Sequence, residues 1–446
     1  MTERKLVRLA AASGLARLVV AVLWGPSFSN DADRYTQLDG GGVAIDWTGS
    51  LGSPAPLTQL VWHLPHDLAI AVQSIVASVS WGLLAISIGR LRSTWRYATA
   101  LAFFALAVTW SPMLLTFDAM PLTDSLALAG ASLVLAVLID RTVSPRALLV
   151  GPAGDMIALS GLLMSIASRP VNLIALAPMV SIAVIWRTPA STRRRWLSAV
   201  FTLAFTVYGV ALVANSETGT NEENRAQNRL AMRASPDYLA AAEDMGMPEC
   251  SSPSHDDLIS GAEASYSTFG IGPLRQQLIL PGDQDARDDA LRAVKKAPCP
   301  ELHAWTSTGG FDTLGPLWRA PGTHLRLFLL DQVGLLTPYS HDERLPIPLR
   351  MLDPVLWLGA TLFSLAVATR AWVRGLARSD APEQRRFGFS AGIVIAAAWA
   401  LHEIVNWLAD PLDLARHFLP VTTMLPFALL ALNPERNAAG ESEPMT

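Results

Sequence analysis

The sequence predicts an all-α polytopic membrane protein of about ten transmembrane helices with a large extracytoplasmic loop domain. Of its 446 residues, 51% are apolar and only 16% are charged, and the mean hydropathy is +0.32. A soluble protein carries about 25% charged residues and has no need of repeated apolar runs of about twenty positions. A net charge of −4 and only three lysines leave no basic patch that could follow a nucleic-acid backbone. We therefore expect no nucleic-acid partner.

Hydropathy places ten candidate spans along the chain. Arg169-Pro170 divides a long apolar stretch into the fifth and sixth spans, because proline interrupts a helix. Arg17 falls inside the first span, where it either extends to the membrane surface or faces the helix bundle. The expected spans are roughly 7–25, 67–89, 97–115, 122–139, 148–167, 171–186, 196–214, 352–369, 387–408 and 416–432.

Basic residues in the short loops set the expected orientation. With the N-terminus in the cytoplasm, eighteen arginine and lysine residues lie inside, against Arg34, Arg169 and Arg416 in the short outer loops. Retention of basic residues in short cytoplasmic loops determines membrane topology. We expect a multi-pass protein of the bacterial cell membrane with both termini in the cytoplasm.

The topology divides the chain into four parts. An N-terminal bundle of about seven helices covers 1–214 and includes a polar first outer loop at 26–66. A loop domain follows at 215–350, with nineteen acidic and twelve basic residues and so a net charge of −7. About three helices at 351–432 and a cytoplasmic tail at 433–446 complete the chain. The size and polarity of the loop domain predict a water-exposed extracytoplasmic unit.

Both cysteines of the chain, Cys250 and Cys299, fall in this loop domain. On the oxidising side of a membrane they can form a disulfide that closes a loop of about fifty residues, worth on the order of 4 kcal/mol. Two free thiols are the alternative, because sequence gives no geometry.

The densest outer cluster of ionisable groups is Asn30-Asp31-Ala32-Asp33-Arg34-Tyr35, directly after the first span. Asp31 and Asp33 are suited to sharing a cation or a proton, or to one acting as a base while the other orients an acceptor hydroxyl. The alternative is a solvated loop in which both aspartates make turns and cap a short helix.

A second acidic pair, Asp118 and Asp124, is expected in the short outer loop between the third and fourth spans. Asp124 is either an N-cap or, together with Asp31, half of a site built from two loops. Arg169 and Arg416 end spans at the outer face, where each can bind a lipid phosphate or simply anchor to headgroups. Asp410, Asp413 and His417 surround Arg416 and favour a functional role there.

Two other groups of residues carry weaker signals. His63 and His66 flank Pro65 without a clear third metal ligand. His402 and Glu403 are ionisable residues within the ninth span, which makes them candidates for function. No nucleotide-binding or serine-hydrolase motif is found in a credible context.

The order of these segments resembles the GT-C superfamily of membrane glycosyltransferases, in particular bacterial proteins similar to the dolichyl-phosphate-mannose protein mannosyltransferases. The likeness covers about 1–215 and 350–432 and depends on short motifs in sequential order. These are Asp31-Ala32-Asp33-Arg34-Tyr35, Pro54-Ala55-Pro56-Leu57, Ser111-Pro112-Met113-Leu114 with Thr123-Asp124-Ser125-Leu126, Gly161-Leu162-Leu163 with Ser168-Arg169-Pro170, and Arg416-His417-Phe418-Leu419-Pro420.

The resemblance implies a helix bundle with an outward-facing active site that moves a sugar from a polyprenyl-phosphate carrier to an extracytoplasmic acceptor. It implies that Asp31 acts as a base or orients the acceptor, with Asp33 as an extra acid, and that Asp124 is the second family acid. Arg169 and Arg416 would hold the lipid phosphate, and His417 stands where the family has Tyr. Some members use a divalent cation and others do not, so Mg²⁺ or Mn²⁺ between Asp31 and Asp124 is left open.

The resemblance leaves the acceptor open between a glycan, a lipid and a protein of the cell envelope, because the loop domain matches no acceptor-binding domain of the family. Two other functions compete with glycosyl transfer. A transporter or flippase of a lipid-linked sugar would use the same arginines and would carry ionisable residues through the depth of the bundle. A membrane scaffold would tolerate substitution of Asp31, Asp33 and Asp124.

Overall fold

The computed structural model describes most of the N-terminal half of the chain and part of its C-terminal region. Every described residue lies in a helix, in a turn or in a short connection, and the described part contains no strand. The described residues are 3–26, 56–90, 98–120, 124–143, 149, 152–169, 172–185, 244, 246, 321–322, 325, 328, 348, 359, 362–370, 372–374, 377 and 382–409.

Nine helices have defined bounds in the described part. They are α1 (Glu3–Trp24), α2 (Pro56–Trp62), α3 (His66–Arg90), α4 (Ala98–Val108), α5 (Pro112–Ala119), α6 (Asp124–Val143), α7 (Pro152–Ser168), α8 (Leu173–Ile185) and α9 (Pro382–Ala409). Residues 362–370 are also helical.

The prediction of a helical membrane protein is confirmed at a coarse level. α1 and α3 are each long and apolar enough to cross a membrane, and α4 with α5 forms a third candidate span. α7 and the Phe389–Ile404 part of α9 are shorter apolar helices. The seventh and tenth expected spans, 196–214 and 416–432, lie outside the described residues, so the full count of ten stays a prediction.

The third expected span differs from the prediction because it bends. The axes of Leu101–Val108 and Pro112–Ala119 meet at 47°. Ser111 caps the second helix by accepting a hydrogen bond from the Leu114 amide, and Pro112 occupies its first turn. Proline has no amide proton to continue α4 and is well suited to begin a new helix, so the chain restarts here rather than running straight through 97–115.

Polar groups are buried and large apolar groups are exposed on several of these helices. Leu15 and Leu23 of α1 are 66% and 81% exposed, and Met156 and Leu163 of α7 are 64% and 66% exposed. Aspartate, arginine, serine, glutamine and asparagine side chains are buried between the helices. A protein folded in water does not show this arrangement over several helices, whereas acyl chains can cover the apolar stripes. The described bundle is that of a membrane-associated protein.

Small residues allow a close helix contact where α6 crosses α7. A Cβ atom added to Gly161 would lie 2.7 Å from the Gly130 carbonyl oxygen, and one added to Gly130 would lie 2.8 Å from the Ser165 amide nitrogen. Gly161 and Ser165 are four residues apart and share one helix face. This small-residue pattern permits the backbones to touch, as in membrane helix pairs generally.

The chain divides into two compact units. The first comprises Met1–Val213, Ser340–Glu403 and Leu419–Thr446, and the second comprises Ala214–Tyr339 and Ile404–Phe418. Helices α1 to α8 belong entirely to the first unit. The expected extracytoplasmic loop domain at 215–350 consists mostly of residues outside the described set and stays a prediction.

Candidate functional site

Arg17 faces the helix bundle and does not extend to the membrane surface. Its side chain is only 2% exposed, and its Nε atom lies 2.8 Å from Oδ2 of Asp118. Its Nη1 donates to the Thr109 carbonyl oxygen at 2.8 Å, and its Nη2 lies 3.5 Å from the Leu114 carbonyl oxygen. Arginine presents a planar array of donors, so one side chain can bind a carboxylate and a backbone carbonyl left at a helix break, here that of Thr109. Arg17 therefore fixes α1 to the bend between α4 and α5.

Asp118 is the centre of this polar cluster. Its carboxylate is fully buried in the last turn of α5, not in an outer loop as the sequence suggested. Oδ2 accepts from the Ser74 hydroxyl at 2.9 Å as well as from Arg17, and Oδ1 accepts from the Ser125 hydroxyl at 2.6 Å. The prediction failed because the apolar run before Asp118 ends with a helical turn that Ser111 and Pro112 initiate. Asp118 thus joins α1, α3, α5 and α6 at one point.

Gln73 extends the cluster to the short helix α2. In the amide orientation that satisfies its neighbours, its nitrogen donates to the carbonyls of Asp118 and Met120 at 3.0 and 3.3 Å. Its oxygen accepts from Nε1 of Trp62 at 3.1 Å. The orientation is assigned from this hydrogen-bond network, as is usual for glutamine. Gln73 therefore fixes the C-terminal end of α5 against α2 and α3.

Asp124 and Arg169 form a second buried ion pair. Nη2 of Arg169 lies 2.7 Å from Oδ1 of Asp124, and the two side chains are 7% and 1% exposed. Asp124 is the first residue of α6, where the helix dipole favours a carboxylate, and Arg169 directly follows α7. The Arg169 side chain is therefore held between the helices, beside Asp124. The close crossing at Gly130 and Gly161 brings these two helix ends within reach of each other.

The two ion pairs are neighbours through Ser125. Ser125 follows Asp124 in the chain and donates to Asp118, so the sequence Asp124-Ser125 contacts both arginine-bearing clusters. Together the pairs contain two arginines and two aspartates, and their formal charge is zero. The low local dielectric strengthens such pairs and makes an unpaired charge there costly.

The turn that carries Arg169 has its own hydrogen bonds. The Arg169 amide donates to the Ser165 carbonyl at 2.7 Å, and the Asn172 amide donates to the Arg169 carbonyl at 3.0 Å. The Asn172 side chain donates from Nδ2 to Oγ of Ser165 at 3.0 Å. His402 of α9 lies with Nε2 3.1 Å from Oδ1 of Asn172. Thus a residue of the C-terminal helix α9 contacts the turn that carries a predicted site residue.

A third polar cluster lies at the opposite ends of these helices. Arg90, the last residue of α3, pairs with Glu3 at 2.6 Å and with Asp140 at 2.9 Å. The buried Asp140 carboxylate also accepts from the Leu149 amide at 2.7 Å. These bonds hold α1, α3 and α6 together at their other ends, and the cluster is fully explained by that structural role.

Of the predicted site residues, Asp124 and Arg169 are brought into contact. Asp31, Asp33, Arg416 and His417 lie outside the described residues, as do Cys250 and Cys299, and their predicted roles stay predictions. His63 and His66 are exposed, and the His66 ring lies 5.8 Å from the Trp62 ring. In the described ranges no three histidine, cysteine, aspartate or glutamate side chains are grouped as a metal site.

Sequence reasoning missed the role of Arg17 and Asp118 as partners. A signal for it exists, because an arginine inside an apolar span requires a counter-ion and Asp118 is one of few acids near the end of a described span. Ser74, Gln73 and Asn172 gave no signal above the many polar residues that line membrane bundles. Their role depends on contacts between residues 44 or more positions apart, apart from the Ser165–Asn172 and Trp62–Gln73 bonds.

The chain matches no family model, no curated protein and no solved structure.

Proposed function

We propose that this protein is a membrane glycosyltransferase that moves a sugar from a polyprenyl-phosphate donor to an extracytoplasmic acceptor. The buried contact between Asp124 and Arg169 is the observation that carries the proposal. The reaction needs a guanidinium for the carrier phosphate and a carboxylate for the acceptor hydroxyl. This contact supplies one of each, where the first residue of α6 meets the residue that follows α7.

The ion pair suggests an exchange of partners when the donor binds. Arginine binds a phosphate through two parallel hydrogen bonds, so the carrier phosphate competes with Asp124 for Arg169. The displaced carboxylate then becomes available to an acceptor hydroxyl. That hydroxyl oxygen attacks the anomeric carbon, its proton moves to Asp124, and the bond from the anomeric carbon to the phosphate oxygen breaks. Arg169 stabilises the charge that collects on the departing phosphate.

Asp31 and Asp33 complete the proposed site from the first outer loop, and Arg416 with His417 adds contacts to the carrier. In this proposal Asp31 shares the work of base or acceptor positioning with Asp124, with or without a divalent cation between them. The site opens on the extracytoplasmic side of the cell membrane, both termini are cytoplasmic, and the loop domain at 215–350 contributes to acceptor binding.

A transfer assay with matched variants tests this function. Purified protein in nanodiscs is incubated with radiolabelled polyprenyl-phosphate mannose, glucose or arabinose and a cell-envelope acceptor fraction, and release of the free carrier phosphate is measured. We expect release with one donor, at least a hundredfold less in Asp124→Asn, and a higher donor KM in Arg169→Lys, since general-base catalysis is worth about 10²–10⁴-fold.

Asp155→Asn is the control. Asp155 lies in the first turn of α7, about 20 Å along the helix from Arg169, so this variant makes the same change of charge away from the cluster. Wild-type release by Asp124→Asn, or equal losses in Asp124→Asn and Asp155→Asn, would contradict the proposal.

A second candidate function is transport of a lipid-linked sugar across the membrane. The bend between α4 and α5, with Arg17 bound to the Thr109 carbonyl at the break, is the observation that favours it, because transporters build ligand sites at discontinuous helices. In the same assay a transporter binds the labelled carrier and moves it between leaflets without releasing free carrier phosphate. Release of free carrier phosphate that depends on Asp124 would support the glycosyltransferase over the transporter.

A further inference from the structure

We infer that Asn172 and His402 are positioning residues for Arg169, so that the C-terminal membrane helix α9 controls how the proposed site holds a phosphate. The inference rests on the proposed function only where it predicts weaker binding of the sugar donor. The support of the Arg169 turn depends only on a chain of hydrogen bonds. This chain runs from His402 of α9 through Asn172, which precedes α8, and Ser165 of α7 to the Ala127 carbonyl of α6.

The direction of this chain follows from the donors and acceptors. Nδ2 of Asn172 donates to Oγ of Ser165, which leaves Oδ1 of Asn172 as the acceptor for His402. Nε2 of His402 must therefore carry a proton. The Ser165 hydroxyl donates in turn to the Ala127 carbonyl at 3.1 Å. Each side chain in the series accepts from the preceding one and donates to the next, and all three are buried.

Arg169 lies between the two ends of this chain. Its amide donates to the carbonyl of Ser165, and its carbonyl accepts from the amide of Asn172. The Asn172 side chain also bridges back to Ser165, which closes a small loop of bonds around the Arg169 backbone. Rotation of this turn would move the guanidinium away from Asp124 or from a bound phosphate. The bonds of Asn172 therefore fix the direction in which Arg169 points.

The link to α9 explains a histidine buried inside a membrane helix. His402 is fully buried, and a packing role alone would be met by an apolar residue at lower cost of desolvation. Its bond to Asn172 gives the polar ring a specific partner 230 positions away in sequence. The N-terminal bundle supplies both charged members of the Asp124–Arg169 pair, and α9 supplies the support for one of them.

Four variants separate positioning from general packing. Asn172→Ala removes both side-chain bonds, and His402→Phe removes the donor but keeps an aromatic ring. His402→Gln keeps an N–H donor and tests rescue. Ser181→Ala is the control, because Ser181 is also buried and lies on α8, away from the Arg169 turn. Each variant is purified as the full chain in nanodiscs.

Two readouts make failure of this inference distinguishable from failure of the proposed function. Hydrogen–deuterium exchange of the peptide that contains Arg169 and Asn172 reports the turn without any substrate. Donor titration of carrier release reports KM and kcat. We expect Asn172→Ala and His402→Phe to speed exchange in this peptide and to raise the donor KM about fivefold to tenfold, which corresponds to one net hydrogen bond, while kcat changes less than threefold. His402→Gln and Ser181→Ala should behave as the wild type.

Unchanged exchange at the turn in Asn172→Ala overturns the inference, even in an active enzyme. A donor KM that does not change despite faster exchange also overturns it, because the turn would then not direct Arg169. If the wild type releases no carrier with any donor, the proposed function fails, and selective exchange in Asn172→Ala and His402→Phe still supports the connection from α9 to the Arg169 turn.

Discussion

Removal of either partner of the buried Arg17–Asp118 pair should destabilise the protein strongly, and removal of both should cost less than the sum. Arg17→Met leaves the Asp118 carboxylate buried with only the Ser74 and Ser125 hydroxyls, and it also leaves the Thr109 carbonyl without the bond from Nη1. Asp118→Asn leaves the Arg17 guanidinium buried without a counter-ion. Breaking one side of a buried pair costs about 3–5 kcal/mol.

The double variant Arg17→Met/Asp118→Asn removes both charges together. Asparagine still accepts a hydrogen bond from a serine, and methionine fills much of the space of the arginine stem. We expect its cost to be close to that of one single variant, so the two single costs exceed the double cost by a coupling free energy of about 3–5 kcal/mol. The measurement is the free energy of unfolding in mixed micelles, followed by circular dichroism as SDS is added.

Arg8→Met is the matched control for this cycle. Arg8 lies on the same helix but is exposed, so the same substitution should change the unfolding free energy by less than about 0.5 kcal/mol. If the costs of the two single variants simply add in the double variant, Arg17 and Asp118 do not interact in the folded protein. The account of the bend between α4 and α5 would then be wrong.

Three further predictions concern the outer loops and the helix crossing. Asp31→Asn should abolish carrier release while the circular dichroism spectrum stays that of the wild type, and wild-type turnover would remove Asp31 from the site. Cys250 and Cys299 should resist alkylation until a reductant is added, which mass spectrometry detects; alkylation of both without reductant would show two free thiols. Gly161→Ala should lower the unfolding free energy by about 1–3 kcal/mol because its Cβ meets the α6 backbone, whereas Gly359→Ala, where an added Cβ meets nothing within 4 Å, should not.

Hydropathy and proline located most of the described helices. α1, α3, α6, α7 and α9 each overlap an expected span, and α7 ends at Ser168, directly before the predicted break at Arg169-Pro170. These features are local, since a run of apolar residues or a missing amide proton acts within a few residues of itself. Such information can be taken from one sequence without knowledge of the fold.

The bend in the third span was not predicted, because a hydropathy profile does not detect a change of helix direction inside an apolar run. Residues 101–108 and 112–119 are both apolar, and the polar residues between them are too few to interrupt the run. Ser111-Pro112 is the local signal for a new helix start, and only its combination with Arg17 on another helix explains why the freed carbonyls can be buried.

The contacts of the candidate site, unlike the helix positions, depend on residues far apart in the sequence. Asp124 and Arg169 could each be chosen as a site residue from its place at a helix end, but their contact depends on the crossing of α6 and α7 at Gly130 and Gly161. The pairing of Arg17 with Asp118 spans 101 positions. From a single sequence one can predict that a buried arginine needs a counter-ion, but not which acid the fold places beside it.

Charge balance gives one more reason to assign a transfer reaction to this pair of residues. At rest, Arg169 neutralises Asp124. During the proposed reaction Asp124 gains a proton from the acceptor hydroxyl, and the carrier phosphate, previously a monoanionic diester, gains the negative charge that Asp124 loses. The sum of charges in the buried site is therefore the same before and after transfer, although one negative charge has moved from the carboxylate to the phosphate. Arg169 has by then exchanged Asp124 for the phosphate, so it is already paired with the group that gains the charge and the helices need not move, which suits a site whose surroundings make an unpaired charge expensive.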